Sequence, residues 1–225
     1  MTEPIKTAEQ AIARANALTN LSSISEPPKA ALVTMPEDVT PYLGEPHKGK
    51  PAWRVDYPKA SLKFDTAIAG FADPFKRAFA VWLDPATGSL FFVASTYEGA
   101  PDPNMRPMPL CGVATEQLSN EGEVYTGYPP DTPTIHFLAA LECILGKGVG
   151  SPFQAKEIHG AYVMHSRMGS TRRPVWAVTL RGIPPIQARG AAADSVPEWQ
   201  RNHIRNVVDA ASGQVLFANN SPQPI

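Results

Sequence analysis

Apolar positions near the start of the chain recur at helical spacing. In TAEQAIARANAL, Ile12, Ala15 and Leu18 make one apolar stripe. Thr7 is placed to cap this helix and Gln10 to close a capping box. The period then falls to two. Trp53, Val55 and Tyr57 share one face of a strand that begins at KPAWRV, with proline at the strand start, where a missing N–H costs least. Phe79, Val81 and Leu83 alternate ahead of a turn, and Leu90 and Phe92 follow it. Trp82, Phe91 and Val93 are assigned to the opposite face. A second helical pattern lies in DTPTIHFLAALECIL. Asp131 or Thr132 is its expected cap, Pro133 falls in the first turn, and Ile135, Leu138, Leu141 and Leu145 form the stripe. Gly146, Gly148 and Gly150 should stop it. Trp176, Val178 and Leu180 then share a strand face, and Ile204, Val208, Val215 and Phe217 flank a final turn.

These elements repeat. FAVWLDPATGSLFFVA, 79–94, overlays IRNVVDAASGQVLFAN, 204–219, at a shift of 125, which sets Asp84 on Asp209 and Gly88 on Gly213. KPAWRV overlays RPVWAV at a shift of 123, and the helices correspond at about 126. The shared turn is Asp-x-x-Thr/Ser-Gly. Its Asp accepts a backbone N–H two residues on, and its Gly takes the positive φ that a type I turn with a following bulge needs. The expected organisation is a first helix-plus-sheet repeat in residues 1–95, a proline-rich connector in 96–131, and a second repeat in 132–225. The connector is long for a link inside one domain.

The leading Ala-rich helix TAEQAIARA, the aromatic strand, and the closing hairpins VWLDPATGSLFF and NVVDAASGQVLF resemble the PepSY domain. The broader shape that fits is cystatin-like: one helix on a curved antiparallel sheet. The fold class expected is therefore α+β, with two tandem cystatin-like or PepSY-like repeats. The resemblance implies a non-catalytic module that modulates a peptidase or senses a ligand, often outside the cytoplasm. A second helix opening Pro-Thr-Ile-His and a long late loop, GIPPIQARGAAADSVPE, depart from the family pattern.

Composition narrows the function by exclusion. A net charge of −1 gives no footprint for nucleic acid, and no apolar run approaches the ~20 residues that span a bilayer. The 24 prolines cluster in loops. The opening MTEPIKTAEQ has no apolar signal core, so the expectation is a cytoplasmic chain, or an exported one whose leader has been removed. Cys111, expected in a loop, and Cys143, on the second helix, read as two independent thiols or as a disulfide that would favour export. No nucleophile elbow, zinc-protease, redox or Walker motif is present. GKGVGS follows a helix instead of preceding one, so it reads as a helix stop and not a phosphate cradle. His159 and His165 share a strand face, yet six residues of strand separate them by about 20 Å, too far for one metal. They read as partly exposed, and His47, His136 and His203 have no identifiable partner. No catalytic residue, metal or cofactor is expected.

The candidate binding residues are basic groups ahead of the Trp strands: Arg54, Arg172 and Arg173, with Lys48 and Lys50. They make a solvated strand end or an anion site. The first half has apolar residues on both sheet faces, so its second face should be covered, by the other half, by loops, by another chain or by a ligand. The function read from these features is non-enzymatic binding or regulation, with a peptide or protein partner able to add a strand at an open sheet edge. The alternative is a small-ligand-binding protein or enzyme using an apolar pocket. Association into a homo-oligomer is a further expectation.

Overall fold

The computed structural model describes residues 4–23, 25–35, 39–40, 49–60, 62, 77–98, 110–111, 123–129, 131–167, 171–184 and 203–219. In chain order the elements are α1 (Ala8–Thr19), β1 (Lys29–Thr34), β2 (Val39–Thr40), β3 (Pro51–Ala60), β4 (Arg77–Leu83), β5 (Leu90–Tyr97), β6 (Leu110–Cys111), β7 (Glu123–Thr126), α2 (Phe137–Lys147), β8 (Glu157–Arg167), β9 (Arg173–Arg181), β10 (His203–Asp209) and β11 (Val215–Asn219). The fold is α+β. One antiparallel sheet runs β1-β3-β4-β5-β8-β9-β10-β11, with β7 also paired to β8 and with β2 and β6 forming a separate parallel pair.

α1 begins as its sequence requires. The Thr7 hydroxyl accepts the Gln10 N–H, and the Gln10 side chain accepts the Thr7 N–H in return. Ala11, Ala15 and Leu18 are fully buried against the sheet, while Ile12 is only partly covered. α2 differs from expectation. Its cap is His136, whose Nδ1 accepts the Ala139 N–H at 3.1 Å, so the helix starts later than Asp131 or Thr132 would have it. The reason lies in Ile135, whose backbone is already committed. Its N–H donates to the Ala210 carbonyl, and its own carbonyl accepts the Trp176 indole N–H at 2.6 Å. The buried stripe is accordingly Phe137, Ala140, Leu141 and Ile144. Gly146 lies inside the helix, and Gly148 is its C-cap.

Both helices cover one face of the sheet. Trp53, Val55, Tyr57, Phe79, Val81, Leu83, Trp176, Val178 and Leu180 project there and pack beneath them. The Trp53 indole donates to the Ile5 carbonyl at 3.0 Å, as Trp176 does to Ile135. Mid-strand Gly160 makes room for α2, since a Cβ there would sit 2.2 Å from the Phe137 ring.

The two Asp-Gly turns form alike. Gly88 (φ 66°) and Gly213 (φ 74°) donate to the Asp84 and Asp209 carbonyls at 2.8 and 2.9 Å. Asp84 Oδ1 accepts the Ala86 N–H, and Asp209 Oδ1 accepts those of Ala211 and Ser212. A register shift follows in each hairpin, between Trp82 and Leu83 and between Val207 and Val208. That bulge corrects the predicted faces. Leu90 pairs with Leu83, but Phe92 pairs with Trp82, so Phe92 belongs on the helix-free face and Val93 on the helix face. One extra residue on the strand reverses the alternation beyond it. Phe217 moves across in the same way, opposite Val207.

The connector contributes β6 and β7, so Cys111 lies in a short strand instead of a loop. Cys143 is a free thiol, and burial raises its pKa. No helix among the described residues is long and apolar enough to cross a membrane.

Candidate functional site

The helix-free face carries a second buried cluster. Trp82, Phe91, Phe92, Tyr125, Ala161, Val163, Val175, Ala177 and Val207 are all covered. Trp82 stacks on Phe92 with ring centroids 5.5 Å apart. In the β8-β9-β10 part of this face the apolar pattern is broken by a polar row. His159 pairs with Thr179, and Thr179 with Arg205. Side chains directly opposite on one face stand about 5 Å apart at Cβ, so the three form a contiguous strip.

All three are sequestered from water, with His159, Thr179 and Arg205 at 3%, 5% and 7% exposure. Among the described residues, none of His159 Nε2, Thr179 Oγ1, Arg205 Nε and Arg205 Nη1 has a hydrogen-bond partner. Burial drives the His159 imidazole down to about 3, helped by the nearby Arg181 charge, so the ring is neutral at physiological pH. Glu157 Oε2 lies 3.7 Å from His159 Nε2, but the carboxylate is already engaged by the Arg181 guanidinium. The Arg181 charge beside the row is thus matched, whereas among the described residues Arg205 Nε and Nη1 meet no acceptor.

At the other end of β8, His165 is also 3% exposed and sits between the rings of Tyr125 and Phe217, with centroids 4.9 and 5.6 Å away. Both histidines were expected to be partly exposed. The helix-free face is covered along β8, and that cover buries them. The two histidines lie six positions apart on β8. Among the described residues, no group of three or more His, Cys, Asp or Glu could hold a metal ion.

The basic residues singled out in the sequence take different positions. Arg54 donates to Asp56 Oδ1 at 2.8 Å and lies over the Trp82 ring. Arg173 lies 3.5 Å from Asp209 Oδ2. Burial opposes ionisation of Asp209, yet the Ser212 and Ala211 N–H groups, the Ser212 hydroxyl and Arg173 outweigh it and hold its carboxyl below the usual range. Arg172 is exposed at the start of β9, and Lys50 is exposed beside β3. β3 and β9 are separated by β4, β5 and β8, so at ~4.8 Å per strand their axes are about 19 Å apart, and Arg54 and Arg173 do not converge. Lys48 and His47 lie outside the described residues, and His136 serves as the α2 cap.

Sequence reasoning passed over Arg205. A signal was there: in HIRNVVD, alternation sets Arg205 with Val207, and Asn206 with Ile204 and Val208. Asn206 faces the helices, where its amide holds both the N–H and the carbonyl of Val149 at 2.9 Å. Comparison with family models, with curated proteins and with solved structures gave no match for this chain.

Proposed function

We propose that this protein is a non-enzymatic binding or regulatory module, built of two tandem PepSY-like, cystatin-like repeats fused edge to edge, and that it takes its ligand on the helix-free face of β8-β10. The repeat reading is supported by correspondences of structure. α1 is followed by the antiparallel run β1-β3-β4-β5, and α2 by β8-β9-β10-β11. Each run carries one Trp bonded to an Ile carbonyl, one Asp-Gly turn and one bulge in its last hairpin.

The observation that carries the binding reading is the unpartnered row. Native interiors leave few polar groups without hydrogen bonds, and those they do leave call for an explanation such as a bound ion, water or ligand. Three neighbouring residues with idle donors or acceptors constitute a local recognition surface. The test is a titration of short peptides and small molecules into 15N-labelled protein. A binding module shows saturable shifts centred on residues 157–163, 175–181 and 204–208, and the ligand is recovered unchanged. Chemical turnover of the ligand, or shifts confined to other surfaces, would overturn the reading.

A second site for a peptide or protein partner is favoured by β1. It ends the sheet, with no strand on its outer side among the described residues, and Leu32 is 56% exposed there. An extended segment of a partner, or the β1 of a second copy, would add at that edge. Shifts at Lys29–Thr34 instead of the polar row would identify this mode.

A further inference from the structure

We infer that the His159–Thr179–Arg205 row is an oxyanion site that holds a carboxylate of the ligand. The inference rests on the binding reading above and names the chemistry of that site.

The case begins with two buried arginines treated differently by the fold. Arg77, 1% exposed, aims its guanidinium at the carbonyls of Pro152, Ala155 and Lys156. Three acceptors from one loop replace the water it gave up. Arg205 is 93% buried by the same measure, yet its Nε and Nη1 meet no acceptor. A guanidinium stays charged at any physiological pH, and a buried charge without a counterpart is strongly disfavoured. An acceptor supplied from outside the chain resolves the difference.

The neighbours define which acceptor. Thr179 Oγ1 has a hydroxyl proton to give, and a neutral His159 ring presents one N–H. Together with the guanidinium they form a donor-rich strip, suited to a group with several lone pairs and no protons of its own. Charge selects within that class. Glu157 neutralises the neighbouring Arg181, and within the His159–Thr179–Arg205 strip the Arg205 guanidinium is the one positive charge. A carboxylate carries one negative charge, and its two oxygens fit paired guanidinium donors. A phosphate near neutral pH carries closer to two and would leave an excess. Ala94, in the same row, and Ala161 and Ala177, in the next, keep the surroundings apolar, so the charged contacts act in a low dielectric.

The experiment uses the intact chain with acetate and inorganic phosphate as probes. Ionic strength is held constant with chloride, and binding is read from the Arg205 Nε–H resonance and from thermal unfolding. Wild type should show a saturable acetate-dependent shift of that resonance and a rise in Tm. Arg205→Gln should weaken acetate at least about tenfold, in line with the loss of a charge-assisted hydrogen bond. Thr179→Val, which preserves shape, should weaken it about threefold and serves if Arg205→Gln fails to fold. Saturable acetate binding undiminished in both variants would place the site elsewhere and overturn the inference. A response to phosphate without one to acetate would overturn the carboxylate assignment. If uncharged ligands shift residues 157–163 and 204–208 while acetate does not, the binding reading survives and the carboxylate inference falls. If neither does, both fall.

Discussion

The row containing Arg205 continues across the sheet, and its two ends have opposite characters. From β1 it passes through Lys29, Asp56, Ala80 and Ala94, then through His159, Thr179 and Arg205. At the first end Lys29 is exposed, and Asp56 is half-buried and bonded to Arg54. At the second end the polar groups are sequestered and idle. By the repeat alignment Ala80 stands where Arg205 stands, and Asp56 where Thr179 does. One sheet carries both ends, and the sequestered polar side chains lie at one of them only. Function on such a scaffold is set by what a half places on its strands and not by the scaffold itself.

The largest expected effect concerns the shared framework. Trp176 is fully buried against Phe137 and Tyr162, whereas Trp53 is 8% exposed. Trp176→Ala should cost about 3 to 5 kcal/mol in denaturant unfolding, with Trp53→Ala at or below the low end. Equal losses would show that the halves pack alike despite their different surroundings.

The arginines should separate next. Arg77→Met strands three loop carbonyls and should cost about 2 to 3 kcal/mol. Arg205→Met strands none, and without ligand it should be neutral or stabilising. A comparable loss at both positions would mean that Arg205 has acceptors after all.

A smaller contrast tests the helix seats. Ala30 pairs with Val55 as Gly160 pairs with Val178. Gly160→Ala drives a methyl into the Phe137 ring and should cost about 1 to 3 kcal/mol. Ala30→Gly should cost less than about 1 kcal/mol. Pairing Gly160→Ala with Phe137→Leu should recover part of the loss, measured by the same unfolding curves.

A last contrast is one of pH. His159 stays neutral in the fold down to about 3, while an unfolded imidazole protonates near 6.5. The unfolded chain therefore binds the extra proton between those values. Stability from the neutral ring is complete above 6.5 and falls as pH drops toward 3, by no more than about 1.4 kcal/mol per pH unit. His165 is shifted the same way, by burial and then by Arg173 and Arg167. His159→Asn should flatten the slope without abolishing it, whereas Lys29→Gln at the other end of the row should leave it unchanged.

Local chemistry made parts of this structure legible in advance. The capping box of Thr7 and Gln10, the Asp84 and Asp209 turns, and the helix-facing Trp residues each follow from residues a few positions apart. Features decided at longer range were not. His136 caps α2 because Ile135 is held by Trp176 and Ala210. Phe92 and Phe217 changed faces because one bulge outweighs several residues of alternation. The burial of His159 and Arg205 depends on strand neighbours far away in sequence and on cover over the second face. In the sequence the candidate site is visible only as an Arg in a short strand, whereas Arg54, Arg172 and Arg173 belong to exposed positions on or beside the Trp strands.

The junction of β5 with β8 bears on how the chain reaches this state. Strands within each run are joined by hairpins or by connections inside the same half. Val93 and Gly160, which meet across the junction, are 67 positions apart. Closing so long a loop carries an entropic cost that pairing must first overcome, and such contacts slow folding. Three polar bonds cross that junction: the Ser95 hydroxyl accepts the Ile158 N–H, Arg77 donates to the loop before β8, and Arg14 of α1 donates to Thr132. Interactions absent from the transition state govern the rate of unfolding and leave the rate of folding alone. Apolar packing also continues across this seam, with Phe79 edge-on to Phe137, so substitutions there are expected to shorten the lifetime of the native protein through packing as well as through these polar contacts.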